Sequence, residues 1–396
     1  MKRINVILAI ILLLTGCIGN KKSGIENDAF ITVDVTASYP KKELVLQDFM
    51  DVEYIALETG GEFYTQGEVM AVGKEIILVK NVVNDGDIFV FNRNGKGLRK
   101  INRKGNGGEE YTNIRQIILD EDNSEMFVSD YIANKIVVYD LFGKFKRSIR
   151  YKKGSKYLNI YNFDRENLIC KDDTYDYDKE TTDKPPFVII SKQDGSMLKE
   201  VQIPCKNKIS SQIRINQNGF ISVVFFSNFP VIPYQGSWIL SIHSSDTIFR
   251  YLPDHSMIPF MTRTPSIQSM NPEIFLFPEI LTERYCFLKI EKNAPEVKGT
   301  TPYDTQVIIP KSFLVYDRKE KDIFEYTVYN DDYSDKKTVN MSQNTINGEI
   351  AFWQKMEADE LLEVNEKGQL KGKLKGIAAN LKEEDNPVIM VVKYKR

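Results

Sequence analysis

The residue types able to do chemistry are few and loosely spaced. The chain has two histidines, His243 and His255, twelve residues apart. A catalytic zinc site or a histidine-based proton relay draws on more imidazoles than this. Both are read as incidental side chains flanking a strand and a turn. Asp172, Asp173, Asp176 and Asp178 put four carboxylates within seven residues, a density of hard oxygen ligands that could hold Ca²⁺. A second acidic stretch, Asp120, Glu121, Asp122 and Glu125, lacks the glycine that an EF-hand loop needs at its sixth position and has Tyr131 at its twelfth. Solvated inter-strand loops are the plainer reading of both stretches, so no metal and no cofactor is assigned. Gly105, Gly107 and Gly108 are not followed by Gly-Lys-Ser/Thr or by a helix onset, and read as an inter-strand turn rather than a phosphate cradle. No Gly-x-Ser-x-Gly elbow or His-Glu-x-x-His pair is present. Carboxylates distant in sequence cannot be paired by eye, which leaves a lyase or hydrolase open beside a non-catalytic role.

Aromatic side chains form a third group. Tyr157, Tyr161 and Phe163 lie close together, as do Phe225, Phe226, Phe229 and Tyr234, and then Phe275 and Phe277. Such residues either fill a core or line a mouth where a sugar or peptide stacks. Trp238 and Trp353 are the only tryptophans, few for a glycan platform.

The N-terminus carries the most specific signal. Lys2 and Arg3 precede an unbroken apolar run at residues 6–14, then Leu14-Thr15-Gly16-Cys17. The run is well short of the roughly 20 residues that span a bilayer and fits an export signal. Leu-Thr-Gly-Cys resembles the bacterial lipobox. That resemblance implies a diacylglycerol on the Cys17 thiol, cleavage before Cys17 and acylation of its amine. More than one acyl chain gives stable anchoring. The expected organisation is a signal peptide at 1–16, a lipidated polar tether at 17–30 and one domain at 31–396. Lys21 and Lys22 stand where some surface-displayed lipoproteins are acidic, so the expected address is the outer membrane, facing the periplasm. Formal net charge is −2, from 53 basic and 55 acidic residues, which supplies no basic face for nucleic acid. Beyond Cys17 only Cys170, Cys205 and Cys286 remain. They allow at most one disulfide and read as buried, unpaired strand residues.

The elements that must position these residues are short strands. Residues 87–92 are an apolar run closed by Asn92, with Gly95 in the following turn. The unit recurs at 135–140 with Gly143, at 187–191 with Gly195, more weakly at 246–250, and again at 313–317 and 361–365. Phe91, Tyr139, Ile190, Phe249, Tyr316 and Val364 are spaced by 48, 51, 59, 67 and 48 residues. Six copies near the length of a four-stranded blade predict an all-β, six-bladed β-propeller with four-stranded antiparallel blades. The two long intervals call for insertions, expected at 228–236 and 294–310. Ring closure needs strands from both termini, for which 31–35 and 388–392 are candidates. Residues 376–384 predict a short helix before the last strand.

Residues 105–111 (GNGGEEY), a strand at 117–119 and the run 134–144 (NKIVVYDLFGK) resemble the NHL-like units of six-bladed propeller lipoproteins from Bacteroides-type bacteria. Residues 52–59 and 386–393 resemble that group too. Gly108 replaces its usual proline. The resemblance implies the fold and the envelope address. It implies no mechanism, and the expected partners are the membrane, through Cys17, and a protein, peptide or glycan on a loop face.

Overall fold

The computed structural model describes residues 30–177, 184–217, 220–226, 229–298, 306–342 and 347–395. Cys17 and its flanking segments lie outside the described residues. Successive strands form meandering antiparallel sheets. Blade one is Glu68–Val72, Ile76–Lys80, Asp87–Asn92 and Gly97–Asn102. Blade two is Gln116–Asp120, Glu125–Asp130, Lys135–Asp140 and Phe145–Arg150. Blade three is Tyr157–Asn162, Asn167–Asp172, Phe187–Ser191 and Met197–Val201. Blade four is Val231–Tyr234, Ser237–Leu240, Thr247–Tyr251 and Met257–Thr264. Blade five is Ile274–Leu281, Tyr285–Lys292, Lys311–Asp317 and Asp322–Tyr329. Blade six joins Ile350–Met356 and Val388–Tyr394 to Met50–Ala56, three strands among the described residues.

The apolar runs are unbroken because each blade is buried on both faces. In blade one, Ile88 and Val90 pack toward blade two, while Phe89 and Phe91 pack toward blade six. In blade two, Ile136 and Val138 face blade three, and Val137 and Tyr139 face blade one. One apolar cluster fills every interface between neighbours, six in all. The sheets therefore close a ring, the six-bladed propeller expected from the repeat.

The repeated turns have a repeated atomic cause. Asn92 Oδ1 accepts from the N–H groups of Asn94 and Lys96 at 2.9 and 3.0 Å. Asp140 Oδ1 accepts from those of Phe142 and Lys144, both at 2.9 Å. The glycine that follows sits at positive φ, +82° for Gly95 and +83° for Gly143. A Cβ on Gly143 would lie 2.6 Å from Ile101 on the outer strand of the preceding blade, so the turn also needs the glycine for space.

Several boundaries differ from the sequence reading. The partner of the C-terminal strand is Met50–Ala56, paired from Met50 with Tyr394 to Ala56 with Val388. The other closure candidate, Ile31–Asp34, instead runs parallel to Met257–Thr264 on the edge of blade four, and Lys41–Val45 runs parallel to Asp322–Tyr329 on blade five. Residues 361–365 are not a strand, because they lie in the helix Ala358–Glu366. Ala358 and Leu361, three residues apart, are the buried positions of this helix, and Leu361 packs with Leu370, Leu374, Ala378, Tyr333 and Val388, so the apolar spacing there is helical. The second helix is Gly372–Ala378, a few residues earlier than expected. Residues 231–234 are the inner strand of blade four. The true insertion before it is the hairpin Gln212–Gln217 with Phe220–Phe225. The other insertion, Glu296–Lys298 with Gln306–Ile308, falls where expected. Cys170 and Cys286 are buried as read, whereas Cys205 is exposed, and these three form no disulfide with one another. No helix among the described residues is long and apolar enough to cross a membrane.

Candidate functional site

Inner strands run in one direction around a propeller, so their ends gather at one mouth of the channel. Gly73, Glu121 and Asn162, at or just beyond the ends of three inner strands, border a cavity of about 590 Å³. Ile350, the start of the first described strand of blade six, borders it too, so this strand runs in the sense of a second strand. The acidic stretch 120–122 lies at this mouth, beside Glu53, Asp164 and Glu349. Arg93 and Lys192 follow the third strands of blades one and three, and Lys393 lies in Val388–Tyr394 of blade six.

Most of these carboxylates are committed. Lys192 Nζ donates to Asp120 Oδ2 at 2.6 Å and to the Asp164 carbonyl at 2.8 Å, and both side chains of the ion pair are buried. Glu121 reaches across to blade one, where its carboxylate accepts from the N–H groups of Lys74, Glu75 and Ile76 at 2.6, 2.9 and 3.3 Å. Glu53 meets Arg93 at 2.6 Å and Lys393 at 2.7 Å. Burial acts to raise the Glu53 pKa, but Lys393 and Arg93 outweigh it and hold it below the ordinary value. Asp164 Oδ1 accepts from the N–H groups of Glu166 and Asn167.

The mouth narrows into a second cavity of about 230 Å³ that shares Gly73, Leu119, Glu121 and Asn162 with the first. Here the lining turns apolar and aromatic. Met70, Ile117 and Pro233 line it with both tryptophans of the chain, Trp238 and Trp353, each half-buried. Trp238 stacks on Phe163 with ring centroids 5.8 Å apart. Tyr161 also lines this cavity, and its hydroxyl is shielded from solvent without a hydrogen-bond partner among the described residues. Asn162 donates through Nδ2 to the Leu119 carbonyl at 2.7 Å, leaving Oδ1 unpartnered.

The sequence profile of DUF5128, described as a 6-bladed beta-propeller, matches residues 20–352. The chain belongs to the DUF5128 family. Two solved structures are similar to this DUF5128 chain. One is a Bacteroides fragilis protein named for its expected export, 14% identical with a TM-score of 0.57, covering 93% of this chain and 100% of that one. The other is a DUF4221 family member from Bacteroides vulgatus, 9% identical with a TM-score of 0.47, covering 87% and 97%. No curated protein matches the chain in sequence.

The remaining candidate residues of the DUF5128 chain are dispersed. His243 is buried among Phe226, Phe275 and Phe277, the last with its ring centroid 5.2 Å away in an edge contact. His255 lies in a separate aromatic group, with Nδ1 3.0 Å from the Tyr251 hydroxyl and its ring stacked on Phe163. Asp172 is buried and accepts from the Lys156 N–H and from both the N–H and Oγ1 of Thr174, with Lys184 Nζ at 3.1 Å. A lysine ammonium therefore stands beside the carboxylate where a calcium ion would have to bind. Asp176 and Asp178 lie outside the residues whose side chains are described. Residues 105–108 form the expected inter-blade turn, with the Gly107 N–H donating to Glu110. Of the aromatics, Tyr157 is core and Phe225 is exposed, while Tyr161, which borders the inner cavity, packs in the core between blades three and four with Phe163 against it. Sequence reasoning missed Arg93, Lys192 and Lys393. The available signal was their recurrence just after or within blade strands, which does not reveal that they converge.

Proposed function

We propose that the protein is a lipid-anchored cell-envelope protein whose propeller binds a protein, peptide or glycan at the channel mouth without chemically altering it. One observation carries the reading: Glu53, Asp120, Glu121 and Asp164 at the mouth are held by ammonium, guanidinium or backbone N–H groups, while the floor beneath them offers two half-buried tryptophans. A general acid or nucleophile must change protonation or form a bond, and a carboxylate fixed in a buried pair such as Asp120 with Lys192 resists both. An aromatic floor under a polar rim suits orientation-specific binding. The address rests on Lys2, Arg3, the apolar run and Cys17, on the NHL-like resemblance, and on the similarity to a protein named for expected export. The outer membrane facing the periplasm fits Lys21 and Lys22.

A second reading, a lyase or hydrolase, draws on the convergence of Glu53, Asp120, Glu121, Asp122, Asp164 and Glu349 at one mouth. Incubating the protein with oligosaccharide and peptide mixtures and following products by mass spectrometry separates the two. Binding with unchanged ligand mass is expected. Turnover that disappears on Asp120→Asn would establish the enzyme instead. For the anchor, metabolic labelling with a radioactive fatty acid should mark the wild type and not Cys17→Ser.

A further inference from the structure

We infer that the inner cavity takes one ring of a neutral sugar, with the rest of an oligosaccharide lying in the wider mouth. This rests on the binding reading above and names its ligand class. Three features of the cavity point to it. The first is aromatic surface: Trp238 and Trp353 come from different blades and line one small space, and the C–H face of a pyranose stacks on such rings while its edge stays polar. The second is a pair of unpartnered, shielded polar atoms on two residues that border the cavity. Tyr161 is more than nine-tenths buried, and its hydroxyl has no partner among the described residues; neither does Asn162 Oδ1. Buried polar atoms are nearly always hydrogen-bonded, so two orphans on residues that border one cavity leave two bonds for ligand hydroxyls to complete once these side chains turn toward it. A hydroxyl can both donate and accept, which serves a phenol and an amide oxygen together.

The third feature is charge. Among the described residues Glu121 is the only charged one lining the inner cavity, and three backbone N–H groups hold it. A ligand carboxylate would lie beside that carboxylate without a cation of its own. A ligand ammonium would have to draw Glu121 away from the blade-one turn it closes. A neutral polyhydroxylated ring meets neither cost. The size agrees: about 230 Å³ is below the ~300–1,000 Å³ of a drug-sized pocket and suits one ring, while the 590 Å³ mouth has room for further units.

The assay is built into the composition. Because both tryptophans line this cavity, all tryptophan emission of the chain reports on it. The full-length protein would be titrated with neutral gluco-, xylo-, manno- and galacto-oligosaccharides, with oligogalacturonides, and with short peptides. A saturable emission change with at least one neutral oligosaccharide is expected. Tyr161→Phe keeps the ring and removes only the hydroxyl, and should weaken that binding about 3- to 10-fold. Trp353→Phe should weaken it further and halve the signal. Circular dichroism confirms that both variants fold. Saturation by peptides or oligogalacturonides alone would overturn the neutral-sugar inference and leave the channel-mouth reading standing. Sugar binding unaffected by Tyr161→Phe would also overturn it. No response to any of the three classes would overturn both readings.

Discussion

Glu279 offers a sharp test of the packing between blades five and six. It lies on the inner strand Ile274–Leu281, fully buried, with Lys289 Nζ 3.3 Å from Oε1. Lys289 also contacts Glu291 at 3.4 Å, and Glu291 meets Lys311 at 3.1 Å. Tyr326 and Ser342 face the same carboxyl. Burial raises the Glu279 pKa to about 7, and the attraction of Lys289 offsets this only in part. The folded pKa is therefore above the unfolded value of 4.5. Between those values the unfolded chain has released its proton and the folded chain has kept it, so stability is highest below pH 4.5 and falls as pH rises through about 7. At about 1.4 kcal/mol per unit, Glu279 costs on the order of 3 kcal/mol at pH 8 relative to its protonated form. Glu279→Gln keeps the shape without the charge, and Lys289 keeps Glu291. Urea unfolding of the two proteins at pH 4.5 and pH 8 should give similar stability at the lower pH and a more stable variant, by about 2–3 kcal/mol, at the higher. Parallel pH profiles, or a variant that is less stable at pH 8, would refute the argument by showing that the Lys289 pair outweighs the desolvation.

Other outcomes follow from the ring's construction. Gly143→Ala must place a Cβ 2.6 Å from Ile101 at a φ of +83°, and should lower stability by about 2–3 kcal/mol in a thermal melt. Gly154→Ala, at a similar φ with open space, should cost only about 1 kcal/mol. Asn386 donates to the carbonyls of Glu58 and Phe63 and accepts from the Thr65 N–H, tying the two ends of the chain together. Asn386→Ala leaves those groups unpaired and should cost roughly 3 kcal/mol, read from denaturant midpoints. Lys192→Met strands the buried Asp120 carboxylate and should cost about 3–5 kcal/mol at pH 7, with part of the loss recovered in the double variant carrying Asp120→Asn.

The fold was legible because its repeat is written in third strands. Runs such as Ile88 to Phe91 must be apolar at every position to serve two interfaces, and the Asn92 and Asp140 turns repeat the same hydrogen bonds. Legibility failed where that logic is interrupted. Leu361 and Val364 match the spacing of a sixth strand, yet they belong to a helical insertion, because a short apolar pair fits either period. The ring-closing strand Met50–Ala56 mixes Asp51 and Glu53 with apolar residues. It gave way in the reading to Ile31–Asp34, nearer the N-terminus, which seals an outer edge of blade four. The site was less visible still. The stretch 120–122 was noticed for its charge, but its neutralisation by Lys192 and by the blade-one backbone crosses blades and leaves no mark in local sequence. The two tryptophans looked too sparse to matter because their 115-residue separation hides a shared cavity.

The central claim is that ligands bind at the tryptophan-lined end of the channel, whatever their class. The most direct measurement combines calorimetric titration with tryptophan emission in the same samples, using fractionated envelope glycans and peptides as probes. The account predicts that any fraction with a saturable heat also changes the emission, with the same midpoint, and reduces quenching by acrylamide. Calorimetric binding that leaves both the emission and its acrylamide quenching unchanged would place the ligand elsewhere and contradict the account.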